Sequence, residues 1–375
     1  MVKKMKNVKR ILAVLLTVVI CLSATGCDAI MDIVQQSLSQ YEDNSVDLDS
    51  LDPGSYEGDF YDLEVFDDLP TKESKATPMF WKCENEDGNV IYFLGSIHVA
   101  DDSAYRFNET IMDAFIEADA LAVECDTIAF ESDYMAQLQM SSSMMYMDGD
   151  KVQNHMSPEL YEGLVEILEE YPDSWQSLGY TMEMLDMCKP AMWSSLMDNI
   201  VLAETDLESE KGIDMHFLKL AKEMNKSIIE VESVEFQMDM LANFSDELYE
   251  LLLEGYLEVD IKEQAEGTEE LYKLWKKGDV DEFTENVATL PDVDYTLEEN
   301  GGYTEEESDL INDYNDQMLF DRNIGMADAA EEYLASGKTV FYVVGAAHFV
   351  GEGGIIELME ERGYEVEFIG GKNLK

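Results

Sequence analysis

Several things are scarce in this 375-residue chain, and each scarcity excludes something. Positive charge is scarce: 24 Lys and Arg stand against 82 Asp and Glu, a net charge of −58. Such a surface repels phosphate, so nucleic acid is excluded as a partner. Cysteine is sparse and unpatterned. There are five, with no Cys-x-x-Cys pair, and Cys83, Cys125 and Cys188 are the three beyond the N-terminal region. An odd number without that spacing argues against a disulfide framework and against a cysteine zinc site. Long apolar runs are missing as well. The longest near the start, Ile11 to Leu22, is too short to span a bilayer. There is no His-Glu-x-x-His, the usual mark of a helical zinc peptidase. Histidine is scarcest of all: there are four, and two of them carry the main signal.

The N-terminus differs from the rest. Lys3, Lys4, Lys6, Lys9 and Arg10 precede the apolar stretch, and Ala24-Thr25-Gly26-Cys27 follows it. Basic residues, a short apolar run and small residues before a cysteine predict a lipoprotein signal peptide over residues 1–26. Cys27 is then the lipidation site. The chain would be held on the extracytoplasmic face of the cell membrane through a palmitate-type anchor. Ordinary cleavage, with Cys27 a bystander, is the alternative. Residues 27–75 are rich in Ser, Asp and Glu, are broken by Pro53-Gly54 and keep no period, so they read as an acidic disordered tether. The folded domain is expected over 76–375.

Within it, one motif occurs twice. Val90-Ile91-Tyr92-Phe93-Leu94-Gly95-Ser96-Ile97-His98 is a run of β-formers ending in Gly-x-x-His. Val340-Phe341-Tyr342-Val343-Val344-Gly345-Ala346-Ala347-His348 repeats it. Each is expected to be a buried strand, then a loop, then a helix and a further strand. The first helix is expected over Phe107–Ala118 and the next strand over Leu121–Glu124. The last helix is expected over Ile355–Arg362 and the last strand over Tyr364–Ile369. The predicted fold class is α/β (α+β): a central mixed sheet from two related strand–GxxH–helix–strand units, with a large helical insertion at about 127–310. Within that insertion Ser157-Pro158 opens a helix, Ile213–Met224 is another, and Ser227–Val231 is a short strand. A helix is expected over 309–334 and an acidic surface loop over 291–308. Five methionines between Met135 and Met147 keep no repeat, so adaptable packing is preferred to copper(I) binding.

Ligands of open α/β sheets bind beyond the carboxyl ends of the strands. His98 and His348 both sit there. Gly95 and Gly345 let backbone or ligand approach closely. Glu124 ends the strand that follows the first helix and would share their edge. Two His and one Glu with an open position form a catalytic metal arrangement, and Glu124 without metal could act as a general base. The alternative for all three is strand-end hydrogen bonding to loop amides. The donor set would suit manganese, cobalt or zinc. Asp214 is expected to stabilise a helix N-terminus, and His155 and His216 to be surface residues.

These pieces resemble the TraB/GumN family, related to the Tiki proteins and more distantly to the ChaN and erythromycin esterase-like superfamily. The resemblance is carried by Phe93 to Ala100, Ala118 to Glu124, Lys211 to His216 with Lys226 to Ser233, Asp321 to Met326, and Val344 to Phe349. It implies a metal site of His98, Glu124 and His348. It also implies a metal-dependent peptidase outside the cell acting on a peptide or protein, or a lipoprotein that sequesters a pheromone-like peptide without cutting it. ChaN-like relatives add haem or iron handling as a third reading. The resemblance further singles out Glu232 and Arg322 as catalytic candidates beside Glu124. Asn323 joins Gly95 and Gly345 as candidate substrate-binding residues. A solvated strand end for Glu232 and a purely structural ion pair for Arg322 remain open.

Overall fold

The computed structural model describes residues 74–288 and 303–374. The expected signal peptide, Cys27, nearly all of the tether and most of the expected 291–308 loop lie outside these residues.

The sheet has six strands: β1 (Phe80–Glu84), β2 (Val90–Ser96), β3 (Ala120–Val123), β4 (Ser227–Glu230), β5 (Val340–Gly345) and β6 (Glu365–Phe368). Their order is β4-β3-β5-β2-β1-β6. β4, β3, β5 and β2 are parallel neighbours, while β1 pairs antiparallel with both β2 and β6. β1 alone therefore runs against the rest. β3 and β5 are buried at every position. That is what uninterrupted apolar runs give when helices cover both faces. β4 exposes its two end residues and β6 alternate ones, and these two strands form the edges.

Among the connecting helices are α1 (Glu109–Glu117), α2 (Thr127–Ser132), α3 (Tyr134–Ser143), α4 (Pro158–Glu170), α5 (Pro190–Ala203), α6 (Ile213–Glu223) and α7 (Val234–Ala242). They continue with α8 (Asp246–Glu258), α9 (Ile261–Lys277), α10 (Glu305–Asn315), α11 (Asp321–Ala335), α12 (Ala346–Phe349) and α13 (Ile355–Glu361). α1 and α6 cover one face of the sheet: the Phe115 and Phe217 rings lie 5.4 and 4.9 Å from Phe341. α11 covers the other, where the Tyr342 hydroxyl donates to the Met326 carbonyl at 3.0 Å. A second apolar core, including Leu164, Trp193, Leu253 and Tyr314, binds α4, α5, α8 and α10 into a helical layer. Met140 and Met144 are buried in it, whereas Met135 and Met147 are exposed. Among the described residues no helix is long and apolar enough to cross a membrane.

The mixed sheet and the large helical component are as the sequence predicts; three details differ. The two GxxH units are not equivalent: β3 returns beside β5, but β6 crosses to the far edge beyond β1. His348 lies in a short helix directly after β5, while His98 follows β2 at a bend. Ala346-Ala347 propagates a helical turn that Ser96-Ile97, with its β-branched isoleucine, does not favour. The short strand expected at Ser227–Val231 does form, as β4, and it joins the sheet at the edge beside β3. Thr304 and Glu307 form a reciprocal capping box, so α10 starts inside the stretch expected to be loop. A π-helical segment, Asp316–Phe320, links α10 to α11.

One buried acid in the helical layer sets a pH response. Asp198 on α5 is 2% exposed and accepts from the Tyr256 hydroxyl of α8 at 2.5 Å. Its other oxygen has no partner among the described residues. Burial lifts its carboxyl to about 7 against the opposing pull of the Tyr256 bond. The folded protein thus holds this proton more tightly than the unfolded chain. Its contribution to stability is full near pH 4, falls as pH rises towards 7 and stays lost above. Asp198→Asn should stabilise the protein at pH 8 by on the order of 4 kcal/mol and change little at pH 4. Urea unfolding at both pH values checks this; equal shifts at the two would contradict it.

Candidate active site at the strand ends

Four neighbouring strands deliver side chains to one edge. In register, Ser96 of β2 lies opposite Gly345 of β5, and Val123 of β3 lies opposite both Val343 of β5 and Glu230 of β4. His98 lies two residues beyond β2, Glu124 one beyond β3, Glu232 two beyond β4 and His348 three beyond β5. Pairing continues past β3 and β4, where the Glu232 amide donates to the Glu124 carbonyl at 2.9 Å. Sheet register, not chain proximity, brings these residues together.

Arg322 enters from α11 and joins the two carboxylates. Its Nη2 donates to Glu124 Oε2 at 2.8 Å and to Glu232 Oε2 at 2.7 Å. Nε donates to Glu232 Oε1 at 2.9 Å, and Nη1 to the Met318 carbonyl at 3.1 Å, across the π segment. The Arg322 side chain is 2% exposed, that of Glu124 11% and that of Glu232 9%. Gln237 of α7 donates from Nε2 to Glu124 at 3.0 Å and to Glu232 at 2.8 Å. Burial alone would raise the Glu124 carboxyl, but the Arg322 cation, helped by the two histidines and the Gly345 amide, brings it down to about 2.

The two histidines are backed differently. His348 Nδ1 lies 2.7 Å from Asn323 Oδ1. The Asn323 amide nitrogen donates to the Gly353 carbonyl at 2.9 Å, so its oxygen must face the ring. An amide oxygen only accepts; Nδ1 therefore carries the proton and Nε2 keeps a lone pair. Burial, with Arg322 nearby, lowers His348 to about 3 and keeps it neutral. His98 Nδ1 lies 3.1 Å from Asp214 Oδ1, an ion-pair distance, although the ring angle leaves Nδ1 without an aligned hydrogen bond. Burial opposes charge on His98, but Asp214 and Glu124 outweigh it and raise the ring to about 9.

Asp214 is held in turn by Ser96. The Ser96 hydroxyl donates to Asp214 Oδ1, and the Asp214 amide donates to the Ser96 oxygen, both at 3.1 Å. The start of α6 presses on this loop: a Cβ on Gly212 would fall 2.6 Å from the His98 carbonyl oxygen, so glycine is required there. At the centre is Gly345, whose amide donates to Glu124 Oε1 at 2.7 Å. A methyl group there would sit 3.3 Å from Glu124 Oε1, 3.4 Å from His348 Cδ2 and 4.0 Å from His98 Nε2. Glu124, His348 and His98 thus surround one point, and an added methyl would press on Glu124 first. Gly95 has another task. It lets Ala346 pack on β2, and its carbonyl accepts from Trp275 Nε1 at 2.8 Å.

The structure thus brings His98, Glu124, Glu232, Arg322, Asn323, Gly345 and His348 into one network and places Gly95 behind it. Asp214, expected only to favour a helix N-terminus, faces His98. His216 is not a surface residue: it is buried among Tyr105, Phe107 and Phe217, and burial lowers its ring to about 3. Its place with Ile213, Phe217 and Leu220 on the apolar stripe of α6 was the available signal. His155 is half-buried, stacked 4.3 Å from Tyr146 and bridging Asp150 and Asp246. Gln237 went unnoticed in the sequence; it occupies a buried position beside Val234, Met238 and Leu241 on α7.

The donor chemistry fits a metal in part. Two imidazoles, each with Nδ1 facing an acceptor and Nε2 turned elsewhere, match the way proteins back metal-binding histidines. Glu124 is less ready, because both of its oxygens are already engaged. Among the described residues no group of three His, Cys, Asp or Glu stands ready to hold a metal ion.

A mixed α/β sheet with a His, Glu and Arg network across its strand ends defines the class. The chain belongs to the TraB/PrgY/gumN family, which it matches over residues 79–368. Among curated proteins it is 25% identical to the frog (Xenopus tropicalis) metalloprotease TIKI1, covering 80% of this chain and 63% of that protein. It is 26% identical to the frog metalloprotease TIKI2, covering 80% and 61%. An uncharacterized protein of Treponema pallidum is 24% identical, covering 78% and 83%. The chain thus spans a little over three fifths of the TIKI proteins' length. No solved structure matches it.

Removing Arg322 should expose how much the network depends on it. Arg322→Ala leaves two buried carboxylates without their cation and should cost about 3–5 kcal/mol in urea unfolding. A loss below about 1 kcal/mol would place the pair among ion pairs of little weight.

Proposed function

We propose that this chain is a metal-dependent hydrolase cleaving peptides or proteins, held by lipid on Cys27 at the extracytoplasmic face of the cell membrane. The observation that carries the reading is the pair of backed imidazoles around Gly345, above all His348 with its fixed tautomer. The metalloprotease names of the TIKI relatives support the same reaction class. His98 and His348 would hold the ion through Nε2, and Glu124 would complete the set by turning an oxygen away from its present partners. A bound divalent ion (manganese, cobalt or zinc) would polarise a carbonyl and acidify water. The rest falls to the protein. Asn323 and Asp214 fix the rings, Arg322 and Gln237 keep Glu124 ionised and oriented, and Glu232 shares the Arg322 charge.

Metal analysis of the purified protein tests this directly. About one divalent ion per chain is expected in wild type, with little in His98→Ala or His348→Ala, and both variants should lose peptide cleavage. Absence of metal in wild type after incubation with manganese, cobalt and zinc would sink the hydrolase mechanism.

Capture of a peptide without cleavage is the second reading. It is favoured by the commitment of both Glu124 oxygens to Arg322, Gln237 and Gly345. Peptide mass after incubation separates the two readings, since capture leaves it unchanged. The anchor has its own check: Cys27→Ser should move the protein from the membrane fraction to the soluble fraction, and an unchanged distribution would remove Cys27 from the account.

A further inference from the structure

We propose that the cavity beside His98 is a specificity pocket for a basic side chain, Lys or Arg, of a peptide; this rests on the peptide-directed reading above. The cavity measures about 500 Å³. His98 and Asp214 line it, whereas Glu124 and His348 do not. The cavity therefore adjoins the network on its His98 side, and whatever fills it lies next to the strand-end site.

Its walls have two characters. Phe130 of α2, Leu202 at the end of α5, Leu178, Leu207 and Met215 supply apolar surface. Exposed Glu131 and Glu210 bring carboxylates from two separate parts of the chain. Among the described residues neither carboxylate has an ion-pair partner; the lining contains no Lys or Arg, the positive ring of His98 is matched by Asp214 at 3.1 Å, and the Lys219 ammonium donates to the Glu210 backbone carbonyl at 3.1 Å. Glu208, also in the lining, differs: Lys211 neutralises it at 2.9 Å. A Lys or Arg side chain has this same division, an apolar stem and a charged head. A purely apolar side chain would gain nothing from Glu131 and Glu210. An acidic one would meet them and a surface already at −58. A bare divalent cation is a poor occupant, since no group of three acidic or imidazole ligands is assembled among the described residues.

The Glu210 side of the wall is fixed to the reactive edge. Residues Ala100 and Glu208 exchange backbone hydrogen bonds at 3.1 and 2.9 Å, and the Ile213 amide donates to the Ile97 carbonyl at 2.9 Å. The segment carrying Glu210 is thereby tied on both sides to the loop that carries His98. Pocket and site are held at a set separation, as a specificity pocket requires.

The test uses short labelled peptides in which one position at a time carries Lys, norleucine or Glu. Binding to the purified full chain is followed by fluorescence anisotropy. At the responsive position the Lys peptide should bind about tenfold more tightly than the norleucine peptide, and the Glu peptide most weakly. Glu131→Gln/Glu210→Gln should reduce the Lys preference to within about twofold while leaving the norleucine affinity unchanged. Equal affinities across the set, no saturable binding, or a preference that survives the double variant would each overturn the pocket. Peptide masses in the same samples report separately on the reaction. A Lys preference with intact peptides would remove the hydrolase and keep the pocket; cleavage with no preference would do the reverse.

Discussion

Everything at the strand ends depends on one buried cation. Glu124 and Glu232 leave adjacent parallel strands and would meet as two like charges out of water. Either alone would cost several kcal/mol to bury, and together they would repel. The Arg322 guanidinium removes both problems by donating to each, and its planar fork suits this better than a lysine ammonium would. Its remaining donor goes to the Met318 carbonyl in the π segment just before α11. Such segments are rare and recur at functional sites. Here it lies where the helix must present an arginine to the sheet.

The two histidines differ in charge. His348 is buried and His98 largely so, and desolvation alone would keep both neutral. Their backing groups decide the outcome. Asp214 offers His98 a carboxylate, which favours the imidazolium; Asn323 offers His348 only an amide oxygen, which serves a neutral ring. Arg322 adds to the cost of a proton on His348. The repeated Gly-x-x-His is therefore a repeat of position and not of charge state. Within the two four-residue motifs only Ser96, which holds Asp214, bears on this; the backing groups themselves come from α6 on one side and α11 on the other.

The sequence disclosed whatever depends on local pattern. The apolar runs of β2, β3 and β5 identified the central strands, and their ends located His98, Glu124 and His348. Ser157-Pro158 announced α4. The resemblance to a known family brought in Arg322, Asn323 and Glu232. What stayed hidden depends on tertiary approach. Ser96 and Asp214 meet across more than a hundred residues, and no spacing rule links them. Gln237 looks like an ordinary polar residue until α7 turns it inward. Gly95 and Gly345 occupy the same place in the motif, yet one accommodates Ala346 and the other clears space among Glu124, His348 and His98. The crossing of β6 to the far edge was equally invisible, because a strand's neighbours are chosen by the sheet and not by its own residues.

The asymmetry of burial gives the site a direction. Glu124, Arg322 and His348 are enclosed by α7, α11 and the sheet, while His98 borders open volume. A group in the cavity faces His98 and Asp214, while the neutral imidazole of His348 lies outside the lining. The enclosed part is therefore best suited to holding charge and geometry fixed, and the open part to selecting what enters. The first task is carried by the sheet and α11. The second falls to the helical layer, through α2, α5 and the segment before α6. The split of the helical insertion by β4 serves both. The stretch before β4 supplies the cavity walls, and the stretch after it supplies Gln237.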